Sequence, residues 1–137
     1  MQWSKKMSKS DAQQETKGSL MPFRFTQENC PGNFLTWFRE EFFHELEWKD
    51  NTNRKQQSEE ADITLSVCIQ GENLGQRKMK LTHAESRIKN HCAPSTHLSF
   101  DKVTKKYLQE NDMTGKQIVF SKDLAGCFNL EIEDAEP

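Results

Sequence analysis

Residues 62–133 predict an α+β fold, a small β-grasp (ubiquitin-like) ββαββ module preceded by an amphipathic aromatic helix. Three observations carry this. Ile63, Leu65, Val67 and Ile69 alternate with Thr64, Ser66, Cys68 and Gln70, the period of a strand with one buried face. A second strand, a helix and two more strands follow in apolar pattern. Residues 34–48, FLTWFREEFFHELEW, repeat large apolar side chains at helical spacing. Elements in this order can bury one sheet face against one helix.

Composition limits how much of the chain can pack. Of 137 residues, 34% are hydrophobic and 29% charged, so a core must be concentrated somewhere and the rest left solvated. The formal net charge of −2 makes no bulk case for nucleic acid. No apolar run approaches the roughly 18 residues of a membrane span. The N-terminal MQWSKKMSKSDAQQ has charge but no apolar stretch of the kind a secretory signal needs. The expected location is therefore nucleus or cytoplasm, without secretion or membrane insertion. Cys30, Cys68, Cys92 and Cys127 are scattered, and in a reducing compartment read as free thiols.

Taken in order, residues 1–20 are polar and aperiodic, which predicts a disordered arm. Residues 21–48 predict a short extended segment at 21–25, a Pro31-Gly32 turn, Asn33 as N-cap, and the helix from Phe34 to Trp48. On a regular helix, Phe34, Leu35, Phe38, Phe42 and Leu46 fall within an arc of about 120°. Trp37 and Trp48 lie on its flank, and Phe43 points away. Residues 49–61 are polar and predict a linker.

The first strand of the second half is followed by turn residues 71–75 and a strand over 77–82, with Met79 and Leu81 inward and Lys78 and Lys80 outward. Ser99 predicts the N-cap of a helix carrying Phe100, Val103, Tyr107 and Leu108, which Gly115 ends. Residues 117–121 and 127–132 predict the last two strands, and 134–137 an acidic solvated tail.

The candidate chemistry is sparse. His91-Cys92-x4-His97, with His83 upstream, contains zinc-ligand types but lacks the paired short spacings of tetrahedral sites. It reads as a surface loop, with no metal and no cofactor. A Cys–His dyad using Cys92 or Cys68 has no spacing to support it. There is no nucleophile elbow and no phosphate-binding glycine loop, so no enzyme is expected. Arg77, Lys78, Lys80, Arg87 and Lys89 form a basic stretch that could meet phosphate or an acidic partner. Its plainer reading is a solvated face that blunts edge pairing.

One local pattern is similar to a known family. Thr64-Leu65-x-Val67, then Lys78-Met79-Lys80-Leu81-Thr82-His83-x-Glu85, resembles the N-terminal ubiquitin-like region of the vertebrate trypsin-like proteases that act at replication forks and bind the sliding clamp. Ile118-Val119-Phe120 and Gly126-Cys127-Phe128-Asn129-Leu130 continue the resemblance, which covers residues 62–130. It implies a ubiquitin-like fold and a nuclear, chromatin-associated or antiviral setting. The protease domain is absent, so no catalytic residue carries over. The clamp-binding box asks for Gln, a spaced aliphatic and two adjacent aromatics. The nearest match, Gln27-x-x-Cys30-x-x-Asn33-Phe34, departs at Cys30 and Asn33.

These readings converge on a non-enzymatic protein-interaction module, an adaptor or regulator. Trp37, Phe43 and Trp48 are its partner-binding residues, because aromatics beyond what one helical stripe needs are favoured at interface centres. Self-association through them is a variant of the same reading. The alternative is a nucleic-acid or chromatin-binding accessory protein using the 77–89 stretch.

Overall fold

The computed structural model describes residues 1–14, 22–50, 58–84 and 95–134. Its frame is one sheet. Strands β1 (Gln2–Lys6), β2 (Phe23–Arg24), β3 (Lys49–Asp50), β4 (Ser58–Ile69), β5 (Glu72–Ala84), β6 (Ser95–Ser99), β7 (Gln117–Lys122) and β8 (Phe128–Glu133) share it. They lie in the order β1-β7-β8-β4-β5-β6-β2, with β3 added beside β4. The β4–β8 pair is parallel and every other pair antiparallel.

This overturns the expected fold class. Among the described residues strand content is 45% against 16% helix, in an eight-stranded curled mixed sheet rather than a small α+β β-grasp. The physical reason lies outside residues 62–133. Trp3, Met7, Phe23 and Phe25 are all nearly solvent-free, so the second half does not close a core by itself. The expected disordered arm is corrected for the same reason. Gln2–Lys6 pairs along β7, with Trp3 opposite Phe120. Residues 15–20 of that arm lie outside the described residues. The predicted linker over 49–61 is also shorter than expected, because Lys49–Asp50 and Ser58–Ala61 are strand; its centre, 51–57, is outside the described residues.

The alternation that marked β4 is real and starts earlier. Ala61, Ile63, Leu65, Val67 and Ile69 are buried. Opposite them, Met79 and Leu81 turn inward from β5, and Leu130 and Ile132 from β8. Gln70 and Gly71 join β4 to β5 with φ of 52° and 82°, as a two-residue primed turn requires. Strand β5 therefore begins at Glu72, and what was expected as turn becomes a register shift between Val67 and Cys68.

The sheet curls until its two edges meet. Trp3 of β1 and Phe23 of β2 stand at opposite ends of the strand order, yet their rings are 6.1 Å apart. Side chains close the seam. Lys5 Nζ donates to the Arg24 carbonyl at 3.0 Å, Trp3 Nε1 to that of Glu28 at 2.6 Å, and Asn29 Nδ2 to that of Ser4 at 2.8 Å. The 25–30 loop thereby covers the outer edge of β1, which would otherwise be open to pairing. Lys5 is itself buried, and its charge is met by Asp11 at 3.0 Å.

The interior is filled by rings. Phe25 lies 4.7 Å from Phe38, 5.1 Å from Phe120, 5.2 Å from Trp3 and from Phe23, and 5.4 Å from Phe43. The aromatic helix supplies two of these, but not as a regular helix. α1 spans only Phe34–Trp37 and passes into a π-helical turn over Phe38–Phe42. Phe43 N donates to the Phe38 carbonyl at 2.8 Å, a five-residue bond that places Phe43 nearly above Phe38. Phe38, Phe42 and Phe43 then all face the core. On a regular helix Phe43 points away, and that assumption produced the error. The Leu35 side chain lies outside the described residues.

Helix α2 (Lys102–Glu110) crosses between β6 and β7 and buries Thr104 and Leu108. It starts after Asp101 rather than Ser99, because Ser99 still pairs with Lys80.

Two tests follow from this layout. Trp3→Ala should lower unfolding free energy by about 3–5 kcal/mol in urea titration; an unchanged midpoint would return residues 1–6 to a loose arm. Val67→Asp should cost several kcal/mol by burying an unpaired charge, while Ser66→Asp on the outer face should shift the melt far less. Equal shifts would mean the β4 register is wrong.

Candidate functional site

The inward row of β4 extends one step beyond its apolar part, to Glu59. There the three central strands carry polar residues directly across from one another, Glu59 on β4, His83 on β5 and Thr96 on β6. His83 and Thr96 are buried, and His83 Nδ1 and Thr96 Oγ1 share a 2.8 Å hydrogen bond. Glu59 faces the π turn. Arg39 grips its carboxylate with two nitrogens, at 2.9 and 3.2 Å. Two parallel bonds of this kind fix both planes.

Above Arg39 lies Trp48. The guanidinium is 4.7 Å from the indole centroid, a cation–π stack. Trp48 Nε1 donates to the Phe43 carbonyl at 2.9 Å, at the point where the π turn ends. The indole is thus fixed from below by the helix end and from the side by Arg39, while remaining partly exposed. Its neighbours Glu47 and Lys49 line an open cleft of about 260 Å3 with Glu60, Asp62 and Lys80.

The three expected aromatic contacts separate. Phe43 is fully buried and contacts Phe25, Phe42 and Phe128, so it is a core residue and not a partner-binding one. Trp37 is partly buried against Phe38 and Phe42. The turn at Gly32 closes over it, where a Cβ would come within 3.1 Å of the Trp37 ring. Trp37 and Trp48 are both half-buried against the core, and Trp48 differs in having its indole N–H bonded and a guanidinium on its face.

The basic stretch is largely answered from within. Lys78 lies 4.0 Å from Asp62, Lys80 3.7 Å from Glu60, and Arg77 3.8 Å from Asp101. Arg87 and Lys89 are outside the described residues, as are His91 and Cys92. Among the described residues there is no cluster of His, Cys, Asp or Glu able to hold a metal ion. Gln27, the first residue of the clamp-box comparison, is engaged in its own loop. It donates to the Gly32 carbonyl at 3.0 Å and accepts from Phe34 N at 3.2 Å.

Sequence reasoning missed Arg39, Glu59 and Thr96. The signal for Glu59 was present, since stepping back by two from Ile63 and Ala61 reaches it. Arg39 and Thr96 have no local signal, because their roles depend on pairings across the fold. Among the described residues, no helix is long and apolar enough to cross a membrane. Compared with models of known protein families and with curated proteins, the chain matches none of them.

Burial lowers the pKa of His83 from its ordinary 6.5; the Glu59 charge raises it and the Arg39 charge lowers it, both less strongly. The folded state therefore holds His83 neutral where the unfolded chain has begun to bind a proton. Stability should be level above pH 6.5 and fall as pH drops below it, because the unfolded state then binds more protons. Urea midpoints of the native chain and of His83→Gln, followed from neutral pH downward, check this. Parallel curves would remove His83 as the titrating group.

Proposed function

We propose that the chain is a non-enzymatic protein-interaction module, working in the nucleus or cytoplasm, with Trp48 and Arg39 as its docking anchor. One observation carries this reading, namely a half-buried indole oriented by Arg39 and by its own N–H bond. Tryptophan and arginine dominate the energetics of interfaces, and a side chain ordered before binding loses less entropy on contact. The cleft beside it has carboxylates and ammonium groups interleaved, suited to a mixed-charge polypeptide rim.

Two observations weigh against the other readings. His83 and Thr96 are types that could serve nucleophilic chemistry, but both are buried and bonded to each other. A general base must reach a substrate proton. For nucleic acid, Arg77, Lys78 and Lys80 would have to leave nearby carboxylates, and no aromatic interleaves them for base stacking.

The test is a photo-crosslinking phenylalanine analogue at position 48 of the intact chain, exposed to nuclear and to cytosolic extract. A discrete protein adduct is expected, unaffected by nuclease and competed by native chain. Trp48→Ala should compete roughly tenfold less well or worse while keeping the native circular dichroism. Absence of an adduct in both extracts, or its loss on nuclease treatment, would overturn the reading.

A further inference from the structure

The surface carries an apolar knob and, elsewhere on the same chain, a cleft with an apolar floor. The knob is Leu124, at the tip of the β7–β8 hairpin. It is 109% exposed, so nothing among the described residues covers its side chain. Met1, also exposed, lies beside the base of this tip, where its carbonyl accepts from Lys122 N at 2.9 Å.

The tip itself is firmly built. Asp123 Oδ1 accepts from the N–H groups of Ala125 and Cys127, each at 2.9 Å. The Asp123 carbonyl accepts from Gly126 N at 3.0 Å, and Gly126 takes the φ of 85° that closes the turn. Asp123 and Gly126 therefore shape the turn, which asks nothing of the side chain at 124. A lone exposed leucine needs no explanation by itself. Here the same chain also offers a place for it.

That place is an open cleft of about 360 Å3 where β5 passes the end of β6, floored by Met79 and Phe100 with Ser99 exposed at its rim. The volume is ample, since a cavity of about 150 Å3 already holds a small apolar molecule such as benzene. The charges at the rim are answered within the chain: Lys78 by Asp62, Lys80 by Glu60 and Asp101 by Arg77. Asp101 Oδ1, without a hydrogen-bond partner among the described residues, is already out of solvent. At the knob, Lys122 pairs with Glu45 at 3.0 Å, and the Asp123 carboxylate is engaged in its turn. An aliphatic side chain entering the cleft thus displaces none of these pairs and buries no new unpaired charge.

We infer that the chain associates with itself head to tail, the Leu124 tip of one copy entering the β5–β6 cleft of the next. Knob and cleft are different surfaces, so the contact is heterologous and leaves a free knob at one end and a free cleft at the other. One tip in one cleft covers far less than the roughly 800 Å2 per partner of a stable complex, so the association is weak and depends on concentration. It involves neither Trp48 nor Arg39 and does not rest on their role.

The experiment uses the purified full chain. Sedimentation velocity at rising concentration should show growing assemblies. Leu124→Asp removes the knob, and Ser99→Trp fills the cleft from an exposed rim position. Each alone should weaken association roughly tenfold or more while keeping the native circular dichroism. Mixed together, the two variants should associate as pairs, because one retains the cleft and the other the knob. A photo-crosslinking phenylalanine analogue at position 124 should join residues 78–80 or 99–101 of a second copy. Sedimentation independent of concentration, a mixture of the two variants that stays monomeric, or adducts that map elsewhere would each overturn the inference. So would an adduct that forms only when cell extract is added, since another protein would then be the occupant.

Discussion

The packing of rings around Phe25 is the constraint on which the rest of the structure depends. A curled sheet needs its hollow filled, and the edges of an open one need a reason to stay together. Phe25 answers both, because it touches Trp3 from one edge, Phe23 beside the other, Phe120 from the sheet and Phe38 and Phe43 from the π turn. Tilted and edge-on pairs of this kind contribute about 0.5–1.5 kcal/mol each beyond their burial. The π turn follows from the same demand, since three phenylalanines of one short helix have to enter one space.

How far the fold was legible depends on where each residue's partners lie in sequence. β4, β7 and β8 could be read because alternation is local: Ile63 to Ile69, Ile118 and Phe120, Phe128 to Ile132. β1 could not. Trp3 is one large residue among lysines and serines, and only its position opposite Phe120 makes that segment a strand. The predicted fold class failed for that reason. A pattern confined to residues 62–133 looked sufficient, whereas part of its core filling came from residues 3–43.

The candidate site was legible in part, and for a similar reason. Trp48 stood out because one apolar stripe could not account for it. Phe43 stood out by the same arithmetic and is core, because the arithmetic assumed a regular helical pitch. What gives Trp48 its fixed orientation could not be read, since Arg39 acts through Glu59, twenty residues later. The basic run was visible as charge, but its neutralisation by Asp62 and Glu60 required the β4–β5 register.

The pairing of β1 with β7 also sets a timetable. A chain leaves the ribosome from its N-terminus, so Trp3 emerges well before Phe120. Until β7 emerges β1 has no partner strand, and Trp3, Phe23 and Phe25 lack the cover of Phe120. Closure of contacts so distant in sequence is slow relative to local ones, and exposed apolar surface of this kind is what chaperones bind. The nascent chain therefore carries apolar surface that the folded one hides, and arrival of the β7–β8 hairpin is the step that conceals it.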